Sequence, residues 1–357
     1  MFMMRKFFRE EIQGISAYRT AKHVECRIKL MSNENNYPSS KKVLRAIASY
    51  SPNRYPDPIA RELRKRISEY LSEEKGVQVK EDWVVAFSGG DDGIRTILGV
   101  FLERGTNIVS YSPTFPVYEI GAKYFGAEWR AAPLNKDFSF DDSVFAQMEK
   151  RIDDKTRLIA ICNPNNPTGT PIKRAYIEKL IQKGIPIIVD EAYFEFSGDT
   201  VMDLANRYEN LIILRTLSKS FGLAGLRVGY TVNKNSHFID ALLKTKAVFN
   251  VNGPAQAGAI AALSEKAHMK KNVGKIIEER ERLLREIPKF FKTYPSKANF
   301  ILVSTSPFSD DEFVERLIER EILVRGIPPD FARITMGTKK ENDELLKALK
   351  KMKEKSS

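Results

Sequence analysis

At 357 residues, 42% of them hydrophobic, the chain is long enough for two domains and a large core and has the balance of an ordinary soluble protein. Its formal charge of +12 runs through mixed segments such as EERERLLREI and KKENDELLKALKKMKEK. These read as solvated helix faces with i,i+4 pairs, which argues against a nucleic-acid partner and leaves anionic small substrates open.

The N-terminal MFMMRKFFREE lacks the apolar run and small-residue cleavage site of a secretory signal, so a cytoplasmic location is expected. Cys26 and Cys162, far apart, make no disulfide framework, and the three histidines show no ligand spacing, so no metal site is expected. No stretch approaches the roughly 18 apolar residues of a membrane span, so no membrane partner is expected. ARELRKRISEYLSEE predicts an amphipathic helix with Leu63, Ile67, Tyr70 and Leu71 on its apolar face. VVAF, NIVSY, RLIAIC, IPIIVD and LIILRT follow as short Val- and Ile-rich runs, separated by helix-length segments. That alternation predicts an α/β fold with a mostly parallel sheet covered by helices on both faces. From about residue 240 the pattern changes to helices over Phe238–Ala247, Ala255–Leu263 and Lys271–Ile287. The strands ANFILVS, ILVRGI and RITMG and a Lys-rich terminal helix come after them. A smaller α+β domain is expected there, with the boundary near Phe249.

In a parallel sheet, functional groups gather beyond the carboxyl ends of the strands. TLSKSFGLAGLRVGY places Lys219 there, between Ser218 and Ser220, with Arg227 eight residues on. A desolvated or cation-crowded lysine offers a free amine, and the hydroxyls and Arg227 suit a phosphate beside it. Together they suggest an aldehyde cofactor with a phosphate tail. SGGDDGI, from Ser88, sets Gly90 and Asp91 at a helix start where backbone amides and the helix dipole favour an anion; it also reads as an ordinary cap. Asp190 ends an apolar strand, either capping the next turn or pairing with a protonated pyridine nitrogen. NPNNPTG is loop chemistry that also presents the Asn166 amide, which, like Tyr193, could donate to a phenolic oxygen. Tyr118, in SPTFPVY, reads either as core or as a ring-stacking aromatic.

The order and wording of NPNNPTG, VDEAY, TLSKSFGLAGLRVGY and RITMG resemble the aspartate-aminotransferase superfamily of pyridoxal-phosphate enzymes (class II aminotransferases). ISAY near Tyr18, KLMSNENNYP, NRYPDP, SGGDDGI and the pair Arg325 and Arg333 narrow the resemblance to the histidinol-phosphate aminotransferase family, from about Tyr18 to Gly337. The resemblance implies an aspartate-aminotransferase-like fold: an arm over residues 1–29 associated with the small domain and substrate side, a large cofactor domain over 30–248 and a small domain over 249–357. It implies pyridoxal 5'-phosphate as cofactor, carried on Lys219, which then moves the substrate proton. Asp190 would pair with the pyridine nitrogen, Asn166 and Tyr193 would bind the phenolic oxygen, and Tyr118 would lie over the ring. Gly90, Asp91, Ser218 and Arg227 would hold the phosphate, with Tyr55 reaching it from the partner subunit of a homodimer. Arg333 would bind an α-carboxylate and Arg325 the distal anion, while Tyr18, Asn33, Glu34 and Tyr37 would line the substrate side. The implied reaction interconverts L-histidinol phosphate and 2-oxoglutarate with imidazole-acetol phosphate and L-glutamate, a step of histidine biosynthesis. Where many relatives read NENPYGP this chain has NENNYPS, which implies a different lid over the substrate. Threonine-phosphate decarboxylase and broad-range or aromatic aminotransferases of the same superfamily stand as alternatives for the substrate.

Overall fold

The computed structural model describes residues 4–15, 24–73 and 77–354. Tyr18 lies outside them. The strands are β1 (Ile28–Leu30), β2 (Val84–Phe87), β3 (Asn107–Ser112), β4 (Glu128–Pro133), β5 (Thr156–Cys162), β6 (Ile187–Asp190), β7 (Leu211–Thr216), β8 (Gly229–Val232), β9 (Phe300–Ser304), β10 (Ile322–Ile327) and β11 (Phe331–Thr335). Seven of them form one sheet in the order β2-β8-β7-β6-β5-β3-β4. Within it β4, β3, β5, β6 and β7 pair in parallel, and β8 runs antiparallel to both β7 and β2.

Alternate residues of these strands face two separate apolar clusters. Val109, Ile159, Ile161, Val189 and Ile213 point into one, and Ile108, Leu158, Ala160, Ile188 and Ile212 into the other. Burial on both faces is why the strands are continuous apolar runs without polar alternation.

The second sheet has four strands in the order β1-β10-β11-β9. β1 enters it in parallel with β10, Ile28 opposite Ile322 and Leu30 opposite Val324, so the first strand in the sequence belongs to the small sheet. The helix Gly253–Leu263 packs on the helices Lys41–Ala48 and Arg61–Ser72. That packing supports a proposed divide later than Phe249, at the start of the long helix Lys266–Glu286. Among the described residues no helix is long and apolar enough to cross a membrane, and no group of His, Cys, Asp and Glu side chains is placed to hold a metal.

Candidate active site

A cavity of about 490 Å³ opens at the carboxyl ends of β5, β6 and β7 and is closed on its far side by β11 and the segment that follows β1. Lys219 lines it three residues past β7, and its amine donates to the Ser32 carbonyl at 3.0 Å. Burial, then the positive charge of Arg333, lowers the Lys219 pKa to about 8. At pH 7 that leaves about a tenth of it as free amine, against under a thousandth for an ordinary lysine.

One end of the cavity is built for an anion. The helix Gly90–Phe101 starts there with Gly89 at φ 87°, ψ 169° in the N-cap position, and no side chain caps it. A Cβ at Gly89 would lie 2.5 Å from the Arg227 guanidinium, and one at Gly229 would lie 2.6 Å from the Gly89 backbone. Two glycines therefore let the first turn, β8 and Arg227 close around one point, where the helix's unbonded amides and dipole favour negative charge. Asp92 accepts the Ser88 amide at 2.8 Å, which holds the turn without using the amides of Gly90 or Asp91. Ser218 lines the same end, placed by its amide's bond to Thr216 Oγ1 at 3.1 Å. Arg227 Nη2 reaches Asp91 Oδ2 at 3.4 Å, a long, half-exposed pair that an incoming dianion can displace.

At the middle of the cavity Asp190 ends β6. Its Oδ1 accepts the Ala192 amide and its Oδ2 the Tyr118 hydroxyl, both at 3.1 Å. Burial raises its pKa to about 6, offset in part by those two hydrogen bonds. It still carries its charge at neutral pH and is suited to pairing with a buried cation.

Asn166 and Tyr193 line the same cavity. Arg333 Nη1 donates to Asn166 Oδ1 at 2.6 Å. Since a guanidinium only donates, Oδ1 is the accepting end of that amide and Nδ2 its remaining donor. Asn33 Nδ2 donates to the Tyr193 hydroxyl at 2.9 Å, which leaves the phenol's own hydrogen available for another acceptor. Burial pushes the Tyr193 pKa up, so it remains a donor at working pH.

Arg325 and Arg333 both line the wall and stand directly opposite each other on β10 and β11. Like charges in cross-strand register repel. Arg333 is held by the neutral Asn166 amide and the Met31 carbonyl. An anion between the two guanidiniums would relieve the repulsion.

Lys219, Gly90, Asp91, Asn166, Asp190, Tyr193, Ser218, Arg227, Asn33, Arg325 and Arg333 thus meet around one cavity. Several expected positions differ. Tyr118 is wholly buried within the apolar cluster beside the sheet, and Phe115 is an aromatic on the cavity wall. Phe115 was missed in the sequence; the strand-end rule could have found it, since it is the first aromatic past β3 whereas Tyr118 lies inside the next helix, Val117–Tyr124.

Asn33 lines the cavity, but its side chain is taken up by Tyr193 and by Thr335, whose hydroxyl donates to Asn33 Oδ1 at 3.2 Å. It holds another side chain in place where a substrate contact was expected. Glu34 is exposed, and Tyr37 is half-buried against the core with the Lys275 ammonium over its ring; neither lines the wall. Tyr55 is 82% exposed, stacked on Phe249, and stands apart from this cavity within the single chain. Sequence reasoning also missed Arg215, buried on the cavity wall and paired with Glu191 at 2.8 Å.

The donor set suits pyridoxal phosphate: an anion cradle, a buried carboxylate, two donors for a phenolic oxygen, an aromatic wall and one deprotonatable amine. Residues 26–349 match the family described as aminotransferase class I and II. The chain is 38% identical over 369 residues to the histidinol-phosphate aminotransferase of Thermoanaerobacter pseudethanolicus, covering 98% of this chain and 99% of that one. It is similar to the crystal structure of the histidinol-phosphate aminotransferase from Clostridium acetobutylicum, with 26% identity and a TM-score of 0.82 over 92% of this chain and 99% of that one. The fold is also that of the Sinorhizobium meliloti histidinol-phosphate aminotransferase solved in complex with pyridoxal-5'-phosphate, at 23% identity and a TM-score of 0.86 over 98% of each chain. The chain belongs to the class I and II aminotransferase family.

Proposed function

We propose that this chain is a pyridoxal-phosphate-dependent transaminase that converts imidazole-acetol phosphate and L-glutamate to L-histidinol phosphate and 2-oxoglutarate, and the reverse. The observation that carries the reading is the placement of Lys219, a buried amine with a pKa near 8, in one cavity with the anion cradle and the Arg325–Arg333 pair. Bound pyridoxal phosphate supplies an aldehyde for the amino group and a protonated ring that accepts electron density. The chain's own residues do the rest.

The amides of Gly90 and Asp91, with Ser218 and Arg227, hold the phosphate. Asp190 keeps the ring nitrogen protonated through its charge. Asn166 Nδ2 and the Tyr193 hydroxyl donate to the phenolic oxygen, and Phe115 covers a ring face. Lys219 Nζ, sufficiently deprotonated near neutral pH, moves the proton at the substrate carbon, an effect worth about 10² to 10⁴ in rate.

Arg333 holds the α-carboxylate when glutamate binds. Arg325 holds the distal anion, the phosphate in one half-reaction and the glutamate side chain in the other. One site then serves both, because each brings an anion at its far end. A second copy of the chain would bring Tyr55 to the phosphate. Its near-complete exposure in the single chain supports that reading, as it does a homodimer.

The deciding experiment is transamination of L-histidinol phosphate with 2-oxoglutarate by the purified, cofactor-loaded protein, set beside aspartate, phenylalanine, tyrosine and threonine phosphate. Histidinol phosphate should give the highest kcat/KM. Carbon dioxide released from threonine phosphate without 2-oxoglutarate, or a preference for an unphosphorylated aromatic amino acid, would displace the substrate assignment.

A further inference from the structure

Tyr118 has no part in the cavity wall, yet its only polar atom is directed at the residue on which the ring nitrogen depends. It is the second residue of the helix Val117–Tyr124, 0% exposed, with its ring in the cluster that includes Leu98 and Ala122. A buried hydroxyl in such surroundings needs a partner. Its partner is Asp190 Oδ2 at 3.1 Å. The other oxygen of Asp190 takes the Ala192 amide, so both oxygens are held, from two different elements, and the plane of the carboxylate is set.

Resting on the reading that Asp190 pairs with the cofactor nitrogen, we infer that Tyr118 is a positioning residue: its buried hydroxyl holds Asp190 in orientation and in the ionised state that binds a protonated ring. The direction of the hydrogen bond follows from the chemistry of the two groups. Burial and the neighbouring carboxylate push the Tyr118 pKa well above that of an ordinary phenol, so it keeps its proton and acts as a donor throughout the working range. A donor beside a carboxylate favours the charged form and opposes the desolvation that raises Asp190.

The other titratable groups near Asp190 do not substitute for it. Asp91, at the start of the helix Gly90–Phe101, and Glu191, next in the chain, both disfavour its charge. The Cys162 thiol at the end of β5, the Tyr111 phenol on β3 and Tyr193 are each buried and held neutral near it, their pKa values raised by burial. Tyr118 is the side chain whose hydrogen bond lowers the pKa of Asp190.

The test is the pH dependence of pyridoxal phosphate affinity for the full-length apoprotein, followed by cofactor fluorescence or absorbance between pH 5 and 9. Wild type should show an acid limb where Asp190 takes up a proton. Tyr118→Phe, which removes one oxygen and keeps the ring, should move the midpoint of that limb up by about one pH unit, the size expected for a hydrogen bond to a charged group. Replacing Tyr118 by 3-fluorotyrosine, a stronger donor of nearly the same shape, should move it down, and this arm decides the matter if the Phe variant folds poorly. An unshifted midpoint in both variants, with Asp190→Asn still losing cofactor, overturns the inference and leaves Tyr118 as packing. Wild-type affinity in Asp190→Asn overturns instead the reading of Asp190 on which it rests.

Discussion

Arg333 on β11 donates to Asn166 Oδ1 at 2.6 Å, joining the small sheet to the loop after β5 of the large one across the cavity. The bond fixes the Asn166 amide through donor chemistry alone, and it holds a guanidinium opposite Arg325 where repulsion would otherwise turn it aside. On the proposed reading, one residue would therefore both orient a cofactor contact and receive the substrate carboxylate.

Arg333→Lys keeps the charge and loses the planar fork. It should raise KM for glutamate, with a loss of about 2 kcal/mol, roughly 30-fold, in kcat/KM, and affect histidinol phosphate, which has no α-carboxylate, much less. Steady-state kinetics in both directions would measure it. Unchanged constants would mean that the α-carboxylate binds elsewhere.

Arg325→Gln should weaken substrates in proportion to their distal charge. Histidinol phosphate and glutamate should each lose on the order of 10-fold or more in kcat/KM, while an amino acid with a neutral side chain should be affected little. A uniform loss across all three would show that Arg325 supports the strand and contacts no distal anion.

Gly89→Ala places a methyl group against Arg227 at a backbone conformation, φ 87° and ψ 169°, that is essentially reserved for glycine. The fold should lose about 1–3 kcal/mol, and pyridoxal phosphate affinity should fall because the helix start and Arg227 separate. Cofactor titration beside a denaturant melt would separate the two effects. A variant with wild-type affinity would rule out this turn as the phosphate cradle.

The raised pKa of Asp190 makes a prediction about the apoprotein. Its folded value is about 6, against about 3.9 in an unfolded chain, so the folded state binds the proton more tightly. The associated stability is present below pH 4 and lost as pH rises through 6. Between pH 7.5 and pH 5 the wild-type apoprotein should therefore gain about 1.4 kcal/mol relative to Asp190→Asn. Urea melts at the two pH values would read the difference. A constant difference would contradict the burial argument.

Glu191 and Arg215 predict a large structural effect beside the site. Arg215 is buried, paired to Glu191, bonded to the Thr200 hydroxyl at 2.8 Å and stacked 3.4 Å over the Phe194 ring. Glu191→Ala removes a buried carboxylate that accepts from this guanidinium and should cost about 3–5 kcal/mol of stability. A melting temperature within a degree of wild type would exclude that.

Much of this architecture was legible because β3, β5, β6 and β7 are buried on both faces and therefore spelled out as apolar runs. β4 was not, since EWRAAP lies at the sheet edge, where polar residues are tolerated. β8 was hidden because its four residues, GYTV, close the Lys219 motif and read as part of it. The helix Lys266–Glu286 starts five residues before its expected position, because KAHMK carries little apolar periodicity. In the site, Asp190 and Lys219 were identifiable from their places at or just past strand ends, whereas Arg215, inside the apolar run of β7, was not. The supporting bonds were not: Asn33 to Tyr193 spans 160 residues and Tyr118 to Asp190 spans 72, and neither leaves a local pattern.

Whether Lys219 is the amine that carries the cofactor is read by borohydride reduction of the loaded protein followed by peptide mass mapping. A single reduced pyridoxyl group should appear on Lys219 in the peptide containing TLSKSFGLAGLR, and none in Lys219→Ala. A pyridoxyl group on another lysine, or the same labelling in the variant, would contradict it.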